Sequence, residues 1–372
     1  MSGIYVHLPF CPYICPYCDF AKWPLRRSQA QRYLRALRRE IEREPPWRAQ
    51  TVYLGGGTPN TYPAAQIAKL ADELQARFGP FEEISIEINP DLVGPDDLSS
   101  YVDAGIDRVS IGVQSMVPTE IATLGRRHAP EDVAHVVAAA RAAGMRSVSI
   151  DLIFAVPQQT ARSWSRTLRE ALACEPDHVS VYGLTIEEGT PFAAWRARDP
   201  SAFFDDVREA EFYDIAIETL AGAGYQQYEV SNFAKPGHEC AHNLNYWQNG
   251  QYRGFGVGAA SYRGGVRWVH TRSLSEYVEA VEAGESIASQ RERLVGAARR
   301  GEAVMLALRM NRGVRFDDFR QRYGVDFLQF YAPVVEDLRS WGLLDVDGSA
   351  ARLTKRGLFL ANDVCGAFVT FA

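Results

Sequence analysis

The strongest constraint on this chain is an eight-residue stretch almost at its start, Cys11-Pro12-Tyr13-Ile14-Cys15-Pro16-Tyr17-Cys18. Three thiols at a C-x3-C-x2-C spacing face one point only if the backbone curls around it. The two prolines and the absence of helical periodicity suit such a curl. Thiolates are soft ligands for zinc, copper(I) or iron–sulfur clusters. A closed zinc site takes four protein ligands, commonly from paired C-x2-C knuckles. The next cysteine here, Cys174, has no knuckle around it. Three ligands on one loop suit a 4Fe–4S cluster whose fourth iron is left open for an exchangeable ligand. Two plainer readings stand beside it: a zinc site borrowing a distant His or Cys, and three unrelated thiols.

Beyond that loop the sequence alternates short apolar segments with amphipathic ones. Strands are expected at 4–7, 51–54, 83–89, 108–113, 147–153 and 178–184. Helices are expected over 28–44 (capped by Ser28), 63–78, 95–104, 131–144 and 160–173. Six strands separated by helices predict βα units and a parallel sheet. No G-x-G-x-x-G follows an early strand, which disfavours a dinucleotide fold. Active sites of barrel-like α/β folds lie at the C-terminal strand ends, and the unusual residues fall there. Gly55-Gly56-Gly57-Thr58-Pro59 follows the second strand. Its glycines let backbone approach a ligand with N–H donors, or make a tight turn. Glu87 ends the third strand and needs a cationic partner, either a ligand amino group or Arg108. Gln114 ends the fourth strand, Arg126 follows in Leu124-Gly125-Arg126, and Asp151 lies in the fifth.

A second informative stretch is Cys240-Ala241-His242-Asn243-Leu244-Asn245-Tyr246-Trp247. His242 could ligate a heme iron through a neutral imidazole, with Asn243 or a carbonyl orienting the other nitrogen. Tyr246 and Trp247 could stack on a porphyrin face. The alternative is a turn packing two aromatics, with His242 as a core hydrogen-bonder. Seven histidines are present, and His242 is the best single candidate for an iron ligand.

Ile4-Tyr5-Val6-His7-Leu8-Pro9-Phe10 before the cysteines, Asp19-Phe20 after them and the glycine triplet about forty residues on resemble the radical S-adenosylmethionine (SAM) superfamily. Within it the chain is similar to the coproporphyrinogen III oxidase-like, oxygen-independent branch. More narrowly, the H-N-x-x-Y-W pattern is similar to the HemW-type heme chaperones. The resemblance runs from Ile4 to about Trp268 and more weakly to the end. It implies an α/β fold, a partial (β/α)6 barrel. It also implies a 4Fe–4S cluster on Cys11, Cys15 and Cys18, with SAM chelating the open iron and cleaved by one electron. Tyr5, Tyr17, Gly56, Gly57, Thr58, Glu87, Gln114, Arg126, Asp151 and Thr185 would line the SAM pocket, and the glycine-rich run 254–260 would pass near it. Heme, heme-accepting proteins and an electron donor for the cluster are the implied partners.

Three functions compete: a heme chaperone, an oxygen-independent coproporphyrinogen III dehydrogenase, and a different radical SAM enzyme, for instance one acting on tRNA. The dehydrogenases carry a fourth cysteine where this chain has Phe20, and an N-terminal extension where Cys11 is almost terminal here. A missing lid weakens radical chemistry, which requires water to be excluded. Both departures favour the chaperone. A net charge of −6 and a pI near 5.7 argue against a nucleic-acid surface.

Three parts are expected: a barrel with the cluster loop (1–190), an extension carrying the second motif (191–293) and a smaller winged-helix-like domain (294–372). In that last part Leu358, Phe359, Leu360, Phe368 and Val369 read as packing. The six cysteines do not form a secreted disulfide framework. A labile cluster needs a reducing compartment, and neither a membrane span nor a signal peptide is evident. A cytoplasmic protein is therefore expected.

Overall fold

The computed structural model describes residues 1–371. Its six apolar segments form the parallel run of one large sheet: β1 (Ser2–Leu8), β2 (Thr51–Gly56), β3 (Glu83–Ile88), β4 (Arg108–Gln114), β5 (Ser147–Phe154) and β6 (His178–Gly183). They pair in sequence order, each parallel to the next. The first five crossovers carry α1 (Arg27–Arg43), α2 (Ala64–Phe78), α3 (Pro95–Asp103), α4 (Pro130–Ala142) and α5 (Ala161–Ala173). Covered strands need apolar residues on both faces, which is why they read as near-continuous hydrophobic runs. Ile4, Val6, Val52, Leu54, Ile86, Val109, Ile111, Val148 and Ile150 are all buried in the main core. The expected Ser28 cap is corrected. The first helix begins at Arg27, the capping position is Arg26, and no side chain caps it.

The sheet has 12 strands and remains open, so the (β/α)6 unit is a partial barrel. After α6 (Asp206–Gly222), β7 (Gln226–Glu229) and β8 (Asn232–Ala234) extend it beyond β6. A short helix, α7 (Ala241–Trp247), precedes β9 (Gln251–Phe255), which pairs parallel with β1. Strands β10 (Ala260–Arg263), β11 (Val266–His270) and β12 (Ala288–Arg293) complete that side as an antiparallel run. The last of them, Ala288-Ser289-Gln290-Arg291-Glu292-Arg293, is exposed throughout and carries no apolar period for sequence reasoning to detect.

The C-terminal part starts with α8 (Gly296–Leu308) and contains a three-stranded antiparallel sheet (Val314–Arg315, Leu344–Val346 and Ala350–Leu353). It has its own apolar cluster around Val304, Phe319, Phe327, Tyr331 and Phe368. Helices followed by a hairpin and a closing helix give the winged-helix-like arrangement. Leu358 and Phe359 pack against the barrel core instead. Leu360 and Val369 are each 40% exposed, so those two do not pack as expected. Among the described residues no helix is long and apolar enough to cross a membrane.

Candidate functional site

The cysteine loop leaves β1 at its C-terminal end and is held from several sides. Cys11 lies in a two-residue strand paired with Trp23–Pro24. The Cys18 amide donates to the Cys15 carbonyl at 3.3 Å, and Lys22 Nζ donates to the Cys18 carbonyl. Gly125, in the left-handed region at φ 71°, brings its loop onto the cysteines: a Cβ there would stand 2.6 Å from Pro16 Cδ. That approach sets the Arg126 guanidinium beside the thiols. Its Nη1 lies 3.9 Å from Cys15 Sγ, and Nη2 donates to Asn89 Oδ1 at 2.7 Å and to the Gly112 carbonyl.

Cys11, Cys15 and Cys18 all line one cavity of about 430 Å3 at the C-terminal ends of the parallel strands. No three His, Cys, Asp or Glu side chains among the described residues close on one point as a single metal ion requires. A tetrahedral zinc with Zn–S bonds of about 2.3 Å needs sulfurs about 3.8 Å apart. A cuboidal cluster places each thiolate on a different iron and so accepts a wider set. Three thiols on one loop around a roomy cavity with a nearby guanidinium fit a cuboidal cluster. Burial pushes the Cys11 thiol up to about 11, opposed by the Thr58 hydroxyl, and burial also raises Cys18. Metal loading would release those protons.

The same cavity gathers Tyr17, Gly56, Gly57, Thr58, Glu87, Gln114, Arg126, Asp151 and Thr185. Tyr5 is absent from its lining. Its hydroxyl bonds His7 Nδ1 at 2.9 Å, and its ring stacks on Tyr53, which does reach the cavity.

The glycine triplet serves close packing. A Cβ on Gly57 would sit 2.6 Å from the Pro9 backbone, and one on Gly55 would sit 2.8 Å from the Glu87 carboxylate. The amides expected to face a ligand are used internally. Gly56 donates to Glu87 Oε2 at 2.9 Å, Gly57 to the Leu8 carbonyl at 3.0 Å and Thr58 to the Phe10 carbonyl at 3.0 Å.

Glu87 does not pair with Arg108. That guanidinium donates to Ser147 Oγ and the His238 carbonyl. Burial pushes the Glu87 carboxyl up to about 7, with nearby Asp151 adding to the shift and the Gly56 amide opposing it. Burial raises Asp151 as well, against bonds from Ser180 and Ser110, whose hydroxyl lies 2.9 Å from both carboxylate oxygens. Gln114 takes φ 68°, beside an irregularity in the β4–β5 pairing. A non-glycine residue in that region is uncommon, and such backbones cluster at functional sites.

Asn89 was missed by sequence reasoning. It lines the cavity, positions Arg126 and exchanges bonds with Asn60. Its signal was the Asn-Pro step directly after the Glu87 strand. The run 254–260 does not line the cavity; a Cβ on Gly254 would overlap the Ala260 carbonyl.

His242 lies at the opposite end of the sheet. Helix α7 crosses the N-terminal strand ends, where Glu83, the first residue of β3, accepts the Ala241 and His242 amides at 3.2 and 3.1 Å. The imidazole is 1% exposed. Nδ1 bonds Thr51 Oγ1 at 2.8 Å and Nε2 bonds Tyr246 Oη at 2.9 Å. Burial lowers its pKa to about 3, so the ring stays neutral. With both nitrogens engaged, His242 offers no lone pair to an iron in this conformation. It is a core hydrogen-bonder, one of the alternatives the sequence left open.

The radical SAM superfamily signature matches residues 5–171, and the HemN C-terminal domain matches 297–360. The chain is 35% identical over 377 residues to the heme chaperone HemW of Bacillus subtilis, covering 99% of each. It is 36% identical over 372 residues to the heme chaperone HemW of Mycobacterium tuberculosis, covering 97% of this chain and 93% of that one. Among solved structures, coproporphyrinogen III oxidase (HemN) from Escherichia coli, described as a radical SAM enzyme, superposes with a TM-score of 0.87 at 27% identity. That match covers 100% of this chain and 90% of HemN.

Proposed function

The chain belongs to the HemW family of the radical SAM superfamily, and from that premise we propose that it is a heme chaperone, binding a 4Fe–4S cluster, SAM and heme and passing heme to acceptor proteins. The observation that supports this most is full-length similarity to proteins named as heme chaperones. It is joined by Phe20 at the position where the dehydrogenase relatives carry a fourth cysteine. That side chain is 64% exposed at the cavity mouth.

In this reading Cys11, Cys15 and Cys18 hold the cluster, and a cluster bound there supplies one electron and an open iron for SAM. Arg126 offsets the charge gathered on the thiolates. The Glu87 carboxylate receives the SAM amino group as a charge-assisted acceptor, and the Gly56 amide fixes its orientation. Asp151 offers a second acceptor, held by Ser110. Cys174, Cys240 and Cys365 take no part. The heme-accepting protein and the electron donor act from outside the chain.

Coproporphyrinogen III dehydrogenase is the second reading, supported by the superposition on HemN. Separate incubation of the reconstituted protein with heme and with coproporphyrinogen III tests between them. A bound-heme spectrum without decarboxylated product supports the chaperone; product formation removes it.

A further inference from the structure

The cysteine loop returns to the sheet through residues 18–22, which form no helix or strand. Backbone carbonyls in such a segment still need donors. Here side chains supply them one after another. Lys22 Nζ donates to the Cys18 carbonyl and, at 3.4 Å, to the Phe20 carbonyl. Arg272 Nη2 donates to the Asp19 carbonyl at 2.8 Å, and His7 Nε2 to the Ala21 carbonyl at 2.7 Å. A carbonyl only accepts, so the His7 proton is on Nε2 and Nδ1 accepts from the Tyr5 hydroxyl. Four successive carbonyls are held in this way, three of them by a cation.

The segment has two sides. Cys15, Cys18, Asp19, Phe20 and Lys22 line the cluster cavity and also a hollow of about 480 Å3 behind the loop. They form a wall between the two. Arg272 lines the outer hollow and not the cavity, so it draws the Asp19 carbonyl outward. The Asp19–Phe20 peptide is trans, and its N–H points opposite to its C=O. The Phe20 N–H is thereby turned to the cysteine side. Burial opposes the Cys18 thiolate, and the Phe20 amide and the Lys22 charge favour it.

Arg272 comes from 253 residues away. It stands between β11 and the helix Leu274–Ala283, in a link fixed by its backbone. Gly258 N–H donates to the Thr271 carbonyl at 2.8 Å, and Thr271 N–H to the Ile287 carbonyl at 2.9 Å. Arg272 Nη2 also lies 3.8 Å from the Asp19 carboxylate. Both side chains are exposed, and an ion pair of that kind adds little. The carbonyl contact is the one that orients the peptide.

Resting on the cluster assignment above, we propose that Lys22 and Arg272 are positioning residues for the 4Fe–4S cluster. They take up the carbonyls of residues 18–20, leave the Phe20 N–H turned to Cys18 and place two positive charges on the outer side of the loop. Hydrogen bonds to the sulfurs and net charge set the potential of such clusters. Both cations stabilise the negative charge that one electron from the external donor adds there.

The test is a redox titration of the full-length, reconstituted protein with dithionite in the absence of SAM, followed by EPR of the reduced cluster. Lys22→Met and Arg272→Met keep the apolar stems and remove charge and donors. Each should make one-electron reduction about threefold to tenfold less favourable, a midpoint lower by up to about 59 mV. Arg272→Lys keeps a charged donor and should stay closer to wild type than Arg272→Met does. A side chain that merely braced the fold would change Tm and leave the potential alone. Wild-type midpoints in both methionine variants would overturn the proposal and leave the cluster assignment standing. So would an Arg272→Lys midpoint as low as that of Arg272→Met. If a methionine variant takes up no cluster at wild-type Tm, restored loading in Arg272→Lys or Lys22→Arg supports the same role, and continued loss overturns it. If wild type itself takes up no iron–sulfur cluster, the underlying reading fails.

Discussion

A Glu87 carboxyl that titrates near neutrality makes SAM binding sensitive to pH in a defined direction. Burial disfavours its charged form, and the carboxylate is a much stronger acceptor for the SAM amino N–H groups than the protonated carboxyl. SAM affinity should therefore be flat above pH 8 and fall as pH drops through about 7, approaching a tenfold loss per unit. Glu87→Gln should bind SAM about tenfold to a hundredfold more weakly at pH 8, the loss of about 1.5–3 kcal/mol from one charge-assisted bond. It should also lose the pH dependence. A variant titrating like wild type in calorimetry would assign Glu87 to holding Gly56 alone. Cys15→Ala should abolish the iron–sulfur absorption and Cys365→Ala should retain it. A requirement for Cys174 or Cys240 would contradict the three-ligand site. The residues at this scale were largely legible because unusual side chains stand at strand ends, where the parallel fold turns them to one side. Asn89 and the internal use of the Gly56, Gly57 and Thr58 amides were not, because both depend on contacts between segments far apart in sequence.

Two elements carry the geometry around the site and beneath it. The glycine turn after β2 lies so close to Pro9 that Gly57→Ala must displace the strand feeding the cysteine loop. Overpacking of this kind costs about 1–3 kcal/mol. Iron–sulfur reconstitution should drop with it, and full iron content at wild-type Tm would show that the turn yields freely. Helix α7 is fixed at the other end of the barrel by Glu83 and by His242. Removing the imidazole in His242→Ala leaves Thr51 and Tyr246 hydroxyls unpaired in the interior, each at about 1–3 kcal/mol. Thermal unfolding should occur several degrees lower, with the heme spectrum of the folded protein unaltered. A changed Soret band at unchanged Tm would restore His242 as an iron ligand. Sequence reasoning found this stretch through its pattern, yet imidazole chemistry alone could not choose between strut and ligand. The choice turned on two hydroxyls, one of them 191 residues away. The antiparallel strands β10–β12 escaped for a related reason: they pair through backbone, with little apolar alternation to read.

Across the whole molecule the cluster cavity sits at the C-terminal ends of the parallel strands, and α7 packs across the opposite ends of the sheet. The alternating strands and helices were readable from period and length, whereas the parallel pairing of β9 with β1 was not, since the two strands come from distant parts of the sequence. The central claim is that this protein binds heme and does not decarboxylate coproporphyrinogen III. The most direct measurement supplies the reconstituted protein, SAM and a one-electron reductant with each compound separately. The account predicts a saturable heme spectrum and no decarboxylated porphyrinogen by mass spectrometry. Sustained conversion of coproporphyrinogen III, with no heme bound, would contradict it.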